Sequence, residues 1–315
     1  MSRSQLDLYN SIYPSENPAM ISALDRREFL KVGSSTTAVA VLGPLASMGS
    51  EPPARKHPIK KAIMYGTIGY KGSVMEKLRA VKAAGFEGVE PMSHMDQDEV
   101  LKALDETGLK AASVCCNTHW GKPLSHPDER MRREGREGLV QALKDAKRYG
   151  ATSVLLVPGV VNERVTYDDC FKRSVAEIRK VIPVAEELGV KIAIENVWNN
   201  FITKPEQAIA FLNEINSPQV GWHFDIGNTL RYSAPETWIP VLGKRILKLH
   251  IKEYGQFDQF DVRFFEGDNN WPAIMKALDD VGYKGWGISE QPGKQSKDAT
   301  ELKDLSERME RIFAS

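Results

Sequence analysis

From Lys61 onward, short β-branched and apolar runs alternate with longer amphipathic segments, and the alternation continues to the C-terminus. The strand candidates are Ala62–Gly66, Gly88–Pro91, Lys110–Cys115, Ser153–Val157, Lys191–Glu195, Val220–Asp225, Ile246–Ile251 and Gly285–Glu290. The helix candidates are Val74–Ala84, Gln97–Thr107, Asp128–Tyr149, Tyr167–Leu188, Pro205–Ile215, Pro235–Leu242, Trp271–Val281 and Ala299–Phe313. Strand then helix, repeated, implies parallel βαβ units. Eight units favour an α/β fold of the (β/α)8 TIM barrel type over an open doubly wound sheet. No G-x-G-x-x-G opens a helix after the first strand, so a dinucleotide-binding fold lacks its fingerprint. Gly85, Gly108, Gly150, Gly189 and Gly282 each follow a helix, where a left-handed residue turns the chain into the next strand.

The first fifty residues do not share this pattern. A polar stretch leads to Asp25-Arg26-Arg27-Glu28-Phe29-Leu30-Lys31, then to an uncharged run from Val32 to Leu45, then to the small residues Ala46, Ser47, Gly49 and Ser50. A twin arginine, a mildly apolar run and a small-residue exit is the order of a Tat export signal. The expected organisation is a signal with its flanking polar segment at 1–49, a linker at 50–59 and a single barrel domain at 60–315. The expected partner of the N-terminus is the Tat machinery, and the expected location is periplasmic or otherwise exported.

Lys and Arg total 42 and Asp and Glu total 42, so a dedicated nucleic-acid binder, which needs a basic excess, is disfavoured. No 18-residue apolar run occurs beyond the signal, so no stable membrane insertion is expected after processing. Cys115, Cys116 and Cys170 make no disulfide framework and read as small buried apolar residues.

A barrel carries its site at the C-terminal ends of its strands. Four consecutive strand ends present ligand-type residues: Glu195, Asp225, His250 and Glu290. Three carboxylates and an imidazole suit one divalent ion such as Mn2+, Mg2+, Co2+ or Zn2+. Such an ion can polarise the carbonyl of a hydroxy-ketone and acidify the adjacent C–H. Glu195 and Glu290, on opposite sides of that carbon, could then remove and return the proton.

At these residues the sequence resembles the sugar phosphate isomerase/epimerase family of xylose isomerase-like TIM barrels. The resemblance runs from about Lys60 to Ile312 and rests on Ile194-Glu195-Asn196, Phe224-Asp225-Ile226-Gly227-Asn228, Leu249-His250-Ile251-Lys252 and Gly282-Tyr283-x-Gly285 through Glu290. Phe265-Glu266-Gly267-Asp268 before Trp271 is similar to a loop of that family. The resemblance implies one divalent metal on Glu195, Asp225, His250 and Glu290, with the two glutamates as the acid/base pair. A repair endonuclease on the same barrel uses three zinc ions and more histidines. Asn228 and Asp261-Val262-Arg263 stand here where its extra histidines would be expected, which disfavours that nuclease.

Substrate contacts are expected from His119, Trp120, His223, Asn228, Lys252, Trp198 and Glu90, with His94 a further pocket candidate and Asn196 able to orient Glu195. His126 and Trp271 read as structural, and His57, among Pro52, Pro53 and Pro58, reads as exposed. Because an exported protein rarely meets sugar phosphates, the expected substrate is a non-phosphorylated keto-sugar undergoing isomerisation or epimerisation through an enediolate. A lyase acting on a 3-keto-glycoside and a non-catalytic sugar-binding barrel are the alternatives.

Overall fold

A computed structural model describes residues 55–315, so the twin-arginine segment and most of the linker lie outside the described residues. The strand segments are β1 (Lys60–Met64), β2 (Gly88–Glu90), β3 (Lys110–Ala111), β4 (Val114–Cys115), β5 (Ser153–Leu156), β6 (Lys191–Glu195), β7 (Val220–Asp225), β8 (Ile246–Ile251) and β9 (Trp286–Ser289). The α-helices among the described residues are α1 (Val74–Ala83), α2 (Gln97–Thr107), α3 (Glu129–Tyr149), α4 (Tyr167–Leu188), α5 (Pro205–Ile215), α6 (Ile226–Thr229), α7 (Pro235–Leu242), α8 (Trp271–Asp280) and α9 (Ala299–Phe313).

All strand pairings are parallel, in the order β3-β2-β1-β9-β8-β7-β6-β5-β4. The two ends of that order are consecutive pieces of one expected strand, Lys110–Cys115, interrupted at Ala112-Ser113. A parallel bridge between Met92 and Cys115 brings the ends together, so the nine segments form a nearly closed eight-stave barrel. Ser113 leaves the ladder to donate its hydroxyl to the Ser153 carbonyl at 3.1 Å. The five glycines expected to turn helices into strands all have positive φ, from 64° to 90°. Asp96, Asp128, Thr166 and Asp298 cap the N-termini of α2, α3, α4 and α9 with side-chain acceptors. One turn, α6, was not anticipated; it starts directly at Asp225, which caps it.

The main apolar core fills the space between sheet and helices, with Trp222, Trp238, Phe211 and Phe313 among its fully buried members. Inside the barrel the apolar filling is small, with Ala62, Ala112 and Ile288 in one cluster. All three cysteines are free and buried. No described helix is long and apolar enough to cross a membrane.

One irregularity decides where the polar residues point. Between β7 and β8 the register runs Trp222 to Ile246 and then His223 to Lys248, which leaves Leu247 as an extra residue. The skip sets Asp225 opposite His250. Gly221 makes the room, since a Cβ there would lie 2.6 Å from Leu247 Cγ.

The chain enters the barrel through an ionic clamp. Arg55 donates to both oxygens of Glu310 at 2.5 and 2.6 Å and to Glu87 at 2.8 Å, and Lys61 Nζ reaches Glu310 Oε1 at 2.6 Å. His57, expected to be exposed, is only 6% exposed. Its Nε2 lies 3.0 Å from the Ser315 carbonyl oxygen and its Nδ1 2.8 Å from Asp279, because the linker folds back on the C-terminus. Burial pushes the Glu310 carboxyl up, but hydrogen bonds from Arg55 and Lys61 outweigh it and hold the group at about 2. A depressed carboxylate pKa contributes stability above the unfolded value and loses it as pH falls. Glu310→Gln is therefore expected to cost about 2 kcal/mol at pH 7. The difference from the parent should close between about pH 4.5 and 2, a window that denaturant titrations across pH can follow; a constant difference would refute the pairing.

Candidate metal centre

Glu195 ends β6, Asp225 ends β7, His250 is the penultimate residue of β8, and Glu290 follows β9. These are adjacent parallel staves, so their C-terminal ends meet at one point above the barrel. The ligand atoms of the four residues all lie within 4.8 Å of one another. His250 Nδ1 is 2.8 Å from Glu195 Oε1, 3.3 Å from Glu290 Oε2 and 4.0 Å from Asp225 Oδ2. Asp225 and His250 are fully buried, whereas the Glu290 side chain retains 16% exposure and so is the member most open to an incoming molecule.

A supporting set of hydrogen bonds fixes this arrangement. Glu90, at the end of β2, sits 3.0 Å from His250 Nε2. An imidazole whose Nε2–H is taken by a carboxylate turns Nδ1 toward the three other carboxylates, a common way of orienting a metal-binding histidine. Asn228 donates its backbone N–H to Asp225 Oδ1 at 2.8 Å and its side-chain amide to Asp225 Oδ2 at 2.7 Å. Asn196 donates to the Asp225 carbonyl at 2.7 Å and accepts from Trp222 Nε1 at 3.0 Å. Lys252 Nζ lies 2.9 Å from Glu290 Oε2 and 3.5 Å from Asp225 Oδ2.

The electrostatics point to a cation. Burial, reinforced by Glu290, pushes the Glu195 carboxyl up to about 7, against the pull of His250. Burial pushes Asp225 to about 8, with Lys252 opposing and Glu290 and Glu195 adding to the rise. Glu290 goes the other way: burial raises it, but Lys252 and His250 together hold it well below the usual carboxylate range. Burial lowers His250, yet Glu290, Glu195 and Glu90 outweigh that and hold it protonated well above its ordinary value. Buried carboxylates that must take up protons to coexist are the donor set a divalent ion would relieve. The residues fit one hard or borderline ion, with Glu195, Asp225, His250 and Glu290 as its holders.

The other expected contacts separate into groups. Glu90 and Lys252 join the centre directly. Asn228 is committed to holding Asp225, with its Oδ1 also 3.4 Å from Lys252. Trp198 donates its indole N–H to the Asn228 carbonyl at 2.9 Å, and its ring forms a wall with Tyr254 and Phe260. His119 is buried, accepts from the Val157 amide at 3.2 Å and meets Trp120 edge-on. Burial lowers its imidazole to about 3, so it is neutral at any physiological pH. Trp120 packs on the apolar group of Cys115, Leu155, Val157 and Val197. His223 lies inside the barrel, its ring 4.2 Å from that of His250, with neither ring nitrogen hydrogen-bonded. Glu90, His223 and His250 make a second close group that shares His250 with the first. His94 is exposed and lines a separate recess with Thr118 and Asp145. His126 accepts from the Asp128 amide at the start of α3, and Trp271 is buried in the core at the start of α8, so both are structural.

Sequence reasoning did not single out Tyr254, Phe260 or Glu253. Glu253 is fully buried and accepts from the amides of Tyr254, Phe265 and Asn269 and from Trp271 Nε1. It anchors the loop after β8, and Asn269 in that loop donates to the Lys252 carbonyl at 2.9 Å. An acidic residue beside a basic one at a strand end carries no mark in sequence of such a role.

A family model described as a xylose isomerase-like TIM barrel matches residues 78–312. Among curated proteins the chain is 25% identical over 226 residues to the L-ribulose-5-phosphate 3-epimerase UlaE of Escherichia coli, covering 67% of this chain and 79% of that one. It is also 25% identical over 186 residues to the uncharacterized protein MJ1311 of Methanocaldococcus jannaschii, spanning 56% of this chain and 63% of that one. Among solved structures, the 3-keto-D-glucoside 4-epimerase YcjR of E. coli superimposes with a TM-score of 0.68 at 16% identity, over 80% of this chain and 99% of that one. A D-psicose 3-epimerase in the presence of D-fructose gives 0.68 at 17% identity, over 81% and 98%. At such identities the structural likeness speaks for the fold.

Proposed function

Because the chain belongs to the xylose isomerase-like TIM barrel family, we propose that it is a divalent-metal-dependent isomerase or epimerase of keto-sugars. The observation that carries this reading is the convergence of Glu195, Asp225, His250 and Glu290, all within 4.8 Å, at four adjacent strand ends. Relatives named as sugar epimerases support the same class.

An ion held by those four residues would supply the positive charge that polarises a substrate ketone and acidifies the neighbouring C–H. Glu290 removes that proton: it is the most accessible of the four, and Lys252 at 2.9 Å keeps it ionised. Glu195 returns a proton from the other side. Glu90 holds His250 in one orientation, and Asn228 and Asn196 hold Asp225, so neither ligand must reorganise. Trp198, Tyr254 and Phe260 offer an aromatic wall for the apolar face of a sugar ring.

The substrate in this reading is a non-phosphorylated keto-sugar; the twin-arginine segment supports it, since a protein exported by the Tat machinery would rarely meet sugar phosphates. Lysine at both Arg26 and Arg27 should then retain the protein in the cytoplasm, as fractionation would show; unchanged export would remove the argument against sugar phosphates.

The chemistry is tested by incubating Mn2+-loaded protein in D2O with unphosphorylated ketohexoses and with 3-keto-glycosides. Deuterium entering the sugar with the glycoside intact, and stopping when a chelator strips the metal, is the expected result. Loss of the aglycone would assign a lyase that uses the same proton abstraction. Sugar binding without exchange would reduce the molecule to a binding barrel.

A further inference from the structure

The same strands that carry the centre at their C-terminal ends surround a second feature at their N-terminal ends. The starts of β5 to β9 and the turns before them enclose a recess of about 910 Å3. Lys191, Lys244, Lys248 and Lys284 line it, and no acidic residue does. In a chain with equal numbers of basic and acidic residues this is a local excess of four charges. Elsewhere the described lysines and arginines are often paired, as at Arg132 with Glu177 or Lys276 with Asp280. Among the described residues, none of these four forms an ion pair.

Lys248 is the decisive member. It lies two residues before His250 on β8 and so shares that residue's inward face. It is 6% exposed, and its ammonium crosses the barrel floor to the hydroxyl of Thr152, 2.9 Å away at the foot of β5. A hydroxyl satisfies one of three N–H groups and none of the charge. Glu90 pulls on this ammonium from deeper in the barrel, but no described carboxylate lies within ion-pair distance of it, and a buried ammonium compensated only at long range gains from a closer negative charge. Gln219 and the three exposed lysines ring the same space with further donors. Lys191 and Lys244 also border a smaller adjoining recess with Arg245, which extends the positive field.

We propose that this floor recess is an anion site for a small multivalent oxyanion of the phosphate or sulfate type. Lys248 supplies the buried charge, and Lys191, Lys244 and Lys284 form the rim. The charge count favours a multivalent ion over a monocarboxylate. The recess opens at the opposite end of the barrel from the metal centre, so stability is the direct readout of its occupancy. The inference is independent of the proposed reaction.

Sulfate is the suitable probe, because it does not strip a divalent metal from the centre. The metal-loaded full chain is titrated with sulfate up to about 10 mM at constant ionic strength, with the thermal midpoint read at each step. The parent should be stabilised progressively. Lys248→Met should lose the response. The double variant Lys191→Ala/Lys284→Ala, which changes only exposed side chains, should bind sulfate at least about tenfold more weakly and turn over substrate within about twofold of the parent. Equal sulfate responses in the parent and the double variant, or no response in the parent, would overturn the site. The double variant also decides the matter if Lys248→Met does not fold.

Discussion

Glu290→Gln is expected to slow keto-sugar turnover by about a thousandfold while leaving the fold and metal uptake intact. Gln keeps a carbonyl oxygen at the position of Oε1 and is nearly isosteric, so the ion loses one charge but not a donor position. What disappears is the ability to accept a proton. In the parent, Lys252 and His250 hold Glu290 far below the usual carboxylate range, which keeps it ready to act as base. Glu195, on the other side of His250 Nδ1, takes the complementary task. The two-base scheme makes a finer demand. With only Glu195 left, the epimer whose C–H faces that residue should still exchange hydrogen for deuterium faster than it converts to product. Metal analysis of the variant separates loss of the base from loss of the ion. Turnover within a few-fold of the parent would sink the assignment of Glu290.

The largest expected loss of stability lies beside the centre. Glu253→Ala should cost about 3 kcal/mol or more and lower the thermal midpoint by about 6–12 °C. Four donors converge on this fully buried carboxylate: the amides of Tyr254, Phe265 and Asn269 and the indole of Trp271, the closest at 2.8 and 2.9 Å. Removing the acceptor strands donors that water reaches poorly. The loop has little freedom to compensate, since Gly267 already lies so close that a Cβ there would meet Tyr254 O at 2.4 Å. Because Asn269 also holds the Lys252 carbonyl, turnover should fall along with stability. A midpoint within about 2 °C of the parent would show that the loop is held by packing and not by this hub.

These two residues mark the reach of sequence reasoning. Glu290 was legible because it interrupts an apolar run at a strand end, and three neighbouring runs are interrupted in the same way. The helices were legible for a similar reason: amphipathic periodicity and glycines such as Gly108 and Gly189 act within a few residues of chain. Glu253 was not legible, since its donors arrive from residues 265–271 and only the fold brings them back. The same holds for Asn228. Its position suggested a substrate contact, but its amide is spent on Asp225 Oδ2 and the Asn196 carbonyl. His57 misled because prolines around it suggested an open linker, whereas its surroundings come from the other end of the chain. The skip at Leu247 left no mark either, as a one-residue shift in pairing changes the partner strand's alignment and not the strand's composition.

The clamp at the chain's entry bears on how the polypeptide could be re-cut. The amide of Lys56 donates to the carbonyl of Phe313 at 3.0 Å, and His57 Nε2 lies 3.0 Å from the carbonyl oxygen of Ser315. The first described residues and the last are therefore neighbours on the same floor of the barrel. A short Gly/Ser bridge from Ser315 to Arg55 would close the barrel chain into a ring, and a new opening could be placed in any exposed loop remote from the metal centre. The turn between α2 and β3 at Gly108 is one such place, with nothing within 4 Å of the position a Cβ would take. A circular permutant opened there would start its synthesis at the third stave and finish at the second.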